Sequence, residues 1–156
     1  MGTLRAGIIE ADVLNDDLTL QGNGTGSVKL GTAMDGDDQE VSKITLKDYS
    51  EVTNAVGSIG GGAQSLDLTL GNVISATVDT ATTTFSFDNP IATDDCSGFT
   101  LVLINGGAFT VNWPSSVDWA GATAPTLTAA GTDILCFFTI DGGTIWHGAV
   151  ASLESS

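Results

Sequence analysis

The sequence predicts an all-β protein: a jelly-roll-like antiparallel β-sandwich over residues 64–156, with a short β-hairpin attachment segment ahead of it. Three observations predict this. Short runs rich in Val, Ile, Thr and Phe recur along the second half, separated by Gly, Asn and Asp. Glycine is abundant, at 20 of 156 residues, while proline occurs 3 times, a balance that suits short strands joined by tight turns. Hydrophobic residues make up 42 % of the chain, enough for a packed core.

The first element is a hairpin. Leu18-Thr19-Leu20 and Val28-Lys29-Leu30 alternate apolar and polar side chains around Gly22-Asn23-Gly24-Thr25-Gly26, and glycine permits the positive φ that a reversal needs. These glycines do not make a phosphate cradle, because no Lys-Ser/Thr pair and no helical pattern follow them. Residues 1–45 bury too little apolar surface to fold alone. Their hydrophobic residues Leu4, Ile8, Ile9, Val13, Leu14, Leu18 and Leu20 are therefore expected to attach to a larger assembly or to other copies of the chain. The run Asp35-Gly36-Asp37-Asp38-Gln39-Glu40 reads as a solvated loop, since its acids do not match the ligand spacing of a calcium loop.

Residues 46–63 predict a short helical connector and a glycine hinge. Tyr49, Val52 and Val56 recur at helical spacing, Asp48 is placed to cap the start, and Gly60-Gly61-Gly62 follows. From Ser65 the chain reads as successive strands. Leu66, Leu68 and Leu70 alternate with polar residues before a Gly71-Asn72 turn; Ser75-Ala76-Thr77-Val78 and Thr84-Phe85-Ser86-Phe87 come next. The segment 99–104 reads as a strand buried on both faces, reversed by Asn105-Gly106-Gly107 into residues 108–113. A last core strand over 134–140 turns at Asp141-Gly142-Gly143 into residues 144–150.

Charge excludes some partners. Lys and Arg total 4 against 19 acids, a formal net charge of −15, so the chain repels nucleic acid and anionic membranes. No apolar run is long enough to span a bilayer, and Arg5, Glu10 and Asp12 interrupt the apolar start that a secretory signal needs. Ala6 stands where a myristoylation motif requires Ser or Thr. Synthesis in the cytoplasm is the expectation. It favours free, buried thiols for Cys96 and Cys136, the latter a small core residue within Ile134-Leu135-Cys136-Phe137-Phe138, although a bridge between them is geometrically open.

The chain reads as a non-enzyme without cofactor or metal. His147 is the single histidine and no nucleophile–base motif accompanies it. The paired acids Asp16-Asp17, Asp37-Asp38 and Asp94-Asp95 are neighbours in sequence, whereas a glycosidase sets two carboxyls apart across a cleft. Trp119 and Trp146, with Asp118 and His147, offer the mixture of apolar faces and hydrogen-bonding groups that suits a sugar, and Trp119 is the indole expected to be exposed. The competing reading is that Trp113, Trp119 and Trp146 simply fill the ends of the sheets.

The stretch Lys43-Ile44-Thr45-Leu46-Lys47-Asp48-Tyr49-Ser50-Glu51 resembles a segment of phage tail-fibre and related fibre or head-spike proteins. Leu66-Asp67-Leu68-Thr69-Leu70-Gly71-Asn72, Trp113-Pro114, Trp119-Ala120-Gly121, Ala124-Pro125-Thr126-Leu127 and Asp141-Gly142-Gly143 with Trp146 and Gly148 follow in the same order. Upstream, residues 17–26 resemble the short β repeats of such fibres. The resemblance covers residues 17–150, and its motifs are turns and tryptophans. It implies a virion structural protein made in the host cytoplasm: a short fibre or spike subunit, assembled as a homotrimer beside capsid, neck or tail proteins. It also implies possible contact with host surface polysaccharide. The alternatives are a capsid decoration protein and a glycan-binding receptor-recognition module.

Overall fold

The computed structural model describes residues 42–155. The chain divides into two compact units, Met1–Leu46 and Lys47–Ser156, and every strand described belongs to the second. The expected hairpin at 18–30, the apolar residues Leu4, Ile8, Ile9, Val13, Leu18 and Leu20, and the acidic run at 35–40 lie outside the described residues.

The second unit is almost all strand: β1 (Thr53–Ile59), β2 (Gly62–Asp67), β3 (Val73–Val78), β4 (Thr83–Asp88), β5 (Ser97–Ile104), β6 (Val111–Asn112), β7 (Val117–Trp119), β8 (Thr132–Thr139) and β9 (Trp146–Ser155). Single 3₁₀ turns at Leu68–Leu70 and Ala120–Ala122 are the only helical segments among the described residues. No helix here is long and apolar enough to cross a membrane. The all-β expectation holds.

The pairing is where the structure departs from expectation. A six-stranded sheet runs in the order β1-β3-β5-β8-β9-β7, and a three-stranded sheet runs β2-β4-β6. All ladders among β1 to β6 are parallel, and antiparallel pairing appears only in β5–β8 and β8–β9. Up to β6, odd-numbered strands lie in the large sheet and even-numbered ones in the small sheet. The chain therefore winds as three stacked rungs, each one strand of each sheet, instead of folding back in hairpins.

The corners explain the winding. Gly60 and Gly61 pass the chain from the large sheet into the small one, with φ of 146° and 80°. A Cβ on Gly60 would stand 2.6 Å from the Ala81 nitrogen, because the corner of the next rung sits directly on it. The expected glycine hinge is thus a tight stacked corner, tied by the Gly61 N–H donating to Thr82 O at 3.0 Å. Asn105-Gly106-Gly107 does the same: β5 crosses to β6, which pairs in parallel with β4.

Three further local expectations are corrected. The helical turns expected from Asp48 to Val56 do not form; residues 46–52 carry no regular structure and Thr53–Ile59 is strand. The alternation Leu66, Leu68, Leu70 breaks at Asp67, whose carboxylate accepts from the Thr69 N–H at 2.9 Å and Thr69 Oγ1 at 2.7 Å and caps a 3₁₀ turn. β5 is buried on one face only, with Thr100, Val102 and Ile104 half-exposed on the other.

One core serves both sheets. Ile74 lies beside Leu101, Ala76 beside Leu103 and Leu101 opposite Leu135, all fully or nearly fully buried. Leu66 and Phe85 close the core from the small sheet. Each such side chain contributes about 1.5–3 kcal/mol by leaving water. Serine, threonine and asparagine link the rungs: Ser58 Oγ donates to Asp79 Oδ2 at 2.6 Å, Asn72 Nδ2 to Gly98 O at 2.9 Å, and Asn112 Nδ2 to Thr84 Oγ1 at 3.1 Å.

Candidate functional site

The four side chains singled out as a sugar site do come together. Parallel pairing of β7 with β9 sets Val117 beside Trp146, Asp118 beside His147 and Trp119 beside Gly148. Alternation then divides them between two faces. Trp119 and Trp146 point into the core, at 9 % and 1 % exposure, while Asp118 is exposed and His147 half-exposed on the other side. The expected exposure of Trp119 is therefore corrected: its ring lies over Gly148, where a Cβ would come within 2.8 Å of the indole carbons.

What covers the indoles is an aromatic cluster drawn from both sheets. Phe87 meets Phe99, Phe137 and Trp146 edge-on at 4.9, 4.9 and 5.3 Å, and Trp119 contacts Trp113 and Phe137 at 5.3 and 5.4 Å. Such pairs add about 0.5–1.5 kcal/mol each beyond area burial. Trp119 and Trp146 fill the core as large aromatics do by default. His147 packs its ring 5.0 Å from that of Phe138 on the outer face.

Trp113 is the tryptophan left partly open. It lines an open groove of about 260 Å³ with Phe109, Val111, Pro125 and Leu127. A second groove of about 260 Å³, beside β7, is lined by Ser115, Ser116, Asp118 and Thr144. Sequence order gave no sign of this exchange between Trp113 and Trp119, because it depends on which face of β7 meets the core.

The electrostatics are those of an acidic rim. Asp67, Asp79 and Asp141 sit at strand ends, and hydrogen-bond donors hold each carboxyl below its ordinary value. For Asp67 these are chiefly Asn89 Nδ2 and the Thr69 hydroxyl, and for Asp79 the Ser58 and Thr80 hydroxyls. For Asp141 the first donor is the Ile145 N–H at 3.0 Å, followed by Thr139 Oγ1 at 2.8 Å. Among the described acids only Asp133 is fully buried; it accepts from Thr128 N at 2.7 Å, Thr128 Oγ1 at 2.6 Å and Glu154 N at 3.3 Å, pinning the loop before β8 to the end of β9. Sequence reading missed this residue, whose only signal is an acid inside an otherwise apolar strand.

Among the described residues, no three His, Cys, Asp or Glu side chains are grouped to hold a metal ion. Cys96 and Cys136 are both free thiols; Cys96 is exposed and Cys136 half-buried, so neither is the fully buried core thiol that its sequence suggested. A further candidate surface is a sheet face. On the outer side of the large sheet, Val73, Thr100, Cys136 and Ala149 form one cross-strand row, and Ser75, Val102, Ile134 and Ser152 form the next. The chain matches no protein-family model, no curated protein and no solved structure.

Proposed function

We propose that this protein is a non-enzymatic structural subunit, a short fibre or spike of a phage or phage-like particle that assembles as a homotrimer. The observation that carries the reading is the stacked winding of β1 to β6. Parallel rungs contact only their neighbours and extend along one axis, which makes a stiff projecting element from a short chain. We read the two sheets as the faces of a sandwich wound in this way. The first rung leaves β1 and β2 as sheet edges, while β8 and β9 extend the large sheet beyond the third. The order of motifs, which resembles that of fibre and spike proteins, agrees with the same reading. Its mechanism is assembly and presentation, in which several weak contacts add through multivalency.

A second reading, contact with host surface polysaccharide, is favoured by the groove at Trp113, where a half-exposed indole, Phe109 and Pro125 offer apolar faces to a pyranose ring. Light scattering on the full chain tests the first reading. A mass near three times the 15.8 kDa protomer is expected, and a monomer at micromolar concentration would overturn the homotrimer. Trp113→Ala tests the second: lost adsorption to host cells with an unchanged oligomer supports it, and unchanged adsorption removes it.

A further inference from the structure

The acids of the second unit are distributed unevenly. Residues 48–155 contain no Lys or Arg at all, so this β region carries only negative formal charge apart from His147. From β1 onward, apart from the buried Asp133, its acids lie at corners, at strand ends or on the edge strand β7: Asp67, Asp79, Asp88, Asp94, Asp95, Asp118, Asp141 and Glu154. On the outer face of the large sheet from β1 to β8 the acid met is Asp79, at the corner end of β3, where it accepts from Ser58 Oγ at 2.6 Å; the middle of the face carries none. The registers place Thr53, Ala55 and Ser58 there on β1, Val73, Ser75 and Thr77 on β3, and Thr100, Val102 and Ile104 on β5. β8 adds Ile134, Cys136 and Phe138, with Phe138 46 % exposed, and Ile140, 59 % exposed, continues the same alternation.

The outer face of the small sheet provides the contrast. It carries Ala63, Ser65, Thr84, Ser86 and Asn112, with Asp67 and Asp88 at its end, and no Val, Ile or Phe. A solvated sheet face is normally polar in this way. The outer face of the large sheet instead mixes Ser and Thr with Val73, Val102, Ile104, Ile134 and Phe138, in a chain whose net charge is −15.

We propose that the outer face of the six-stranded sheet is the surface through which copies of this chain associate. The proposal rests on the oligomeric reading above and names its interface. A basic partner would be drawn to the acidic corners. An identical chain is repelled by them and can approach closely only over a surface without charge, where like charges do not meet. Five strands at about 4.8 Å spacing and six residues at about 3.3 Å rise give a flat patch on the order of 500 Å². A standard interface takes about 800 Å² from each partner. The face therefore supplies the core of the contact, and flanking residues such as Ile140 supply its margin.

The test compares the full chain with Phe138→Asp, which sets a charge in this face, and Ala63→Asp, which sets the same charge on the small sheet. The expected result is an oligomer for wild type and Ala63→Asp, and dissociation of Phe138→Asp at concentrations at least about a hundredfold higher than wild type requires. An oligomer that survives Phe138→Asp, or that Ala63→Asp disrupts equally, overturns the interface and leaves the oligomeric reading standing. A monomeric wild type overturns both. Should Phe138→Asp fail to fold by circular dichroism, Cys136 reports in its place. In a Cys96→Ser background its reaction with a thiol reagent should slow as concentration rises into the oligomeric range, and concentration-independent labelling overturns the interface.

Discussion

The two halves of the β unit are held together differently. In the wound half, β1 to β6, neighbouring strands are distant in sequence, and the rungs are joined by parallel ladders, Ser, Thr and Asn side chains and tight corners. In the closing half, β8 and β9 form an antiparallel hairpin packed on a cluster of Phe and Trp rings. Among the described residues the first rung has one neighbouring rung where the second has two, so its cohesion comes from fewer contacts. The difference teaches where stability is concentrated: in the aromatic seam between the halves, with the first rung as the part that opens most readily.

The largest expected effect breaks that seam. Phe137 touches Phe87, Phe99, Trp113 and Trp119, so Phe137→Ala should cost about 3–5 kcal/mol in chemical denaturation. Ile59→Ala, in the first rung, should fall near the low end of its class, about 2 kcal/mol. Equal losses would refute the contrast.

Next comes Asp133→Ala, which leaves the Thr128 N–H and hydroxyl and the Glu154 N–H without their acceptor. A loss of about 2–3 kcal/mol is expected, together with faster amide exchange at Thr128. The wound half offers a change of opposite sign. Thr83 is fully buried and its Oγ1 has no hydrogen-bond partner, so Thr83→Val should raise stability by about 1 kcal/mol. A destabilised variant would show that the hydroxyl is satisfied in solution.

The smallest effect is pH-dependent and acts on both halves. Asp79 in the wound half and Asp141 in the hairpin have folded pKa values below the ordinary carboxylate value, held there chiefly by the Ser58 hydroxyl and the Ile145 N–H. Each carboxylate thus contributes stability that is present above the unfolded pKa and lost as pH falls through the folded one. Asp79→Asn and Asp141→Asn should each be less stable than wild type at neutral pH, with the gap closing below about pH 4. A gap unchanged down to pH 2.5 would mean that the carboxylate charge is not what these hydrogen bonds stabilise.

The legible parts of the fold share a feature: their cause is local. The hairpin at Asp141-Gly142-Gly143 was readable because turn and strands are contiguous, and β8 and β9 are the only sequence-adjacent strands that pair among the described residues. Asn105-Gly106-Gly107 has the same turn chemistry and a different outcome, since a reversal does not specify which sheet receives the chain. The Leu68–Leu70 turn was missed because one Asp67 carboxylate outweighs a three-residue alternation. At the candidate site, the proximity of Asp118 to His147 and Trp119 to Gly148 depends on a parallel pairing between segments separated by the whole of β8.

By itself, the sequence determined the all-β class, most strand positions, the hydrophobic alternation of β3 and β4, and a surface without basic charge beyond Lys47. These follow from side-chain chemistry and near-neighbour spacing. Only the tertiary structure decided that the strands wind in parallel rungs, that Trp113 and not Trp119 stays open, and that uncharged residues of β1, β3, β5 and β8 share one face. Each of these depends on contacts between residues far apart in the chain, where register, set by packing and corner stacking, selects the face on which every side chain emerges.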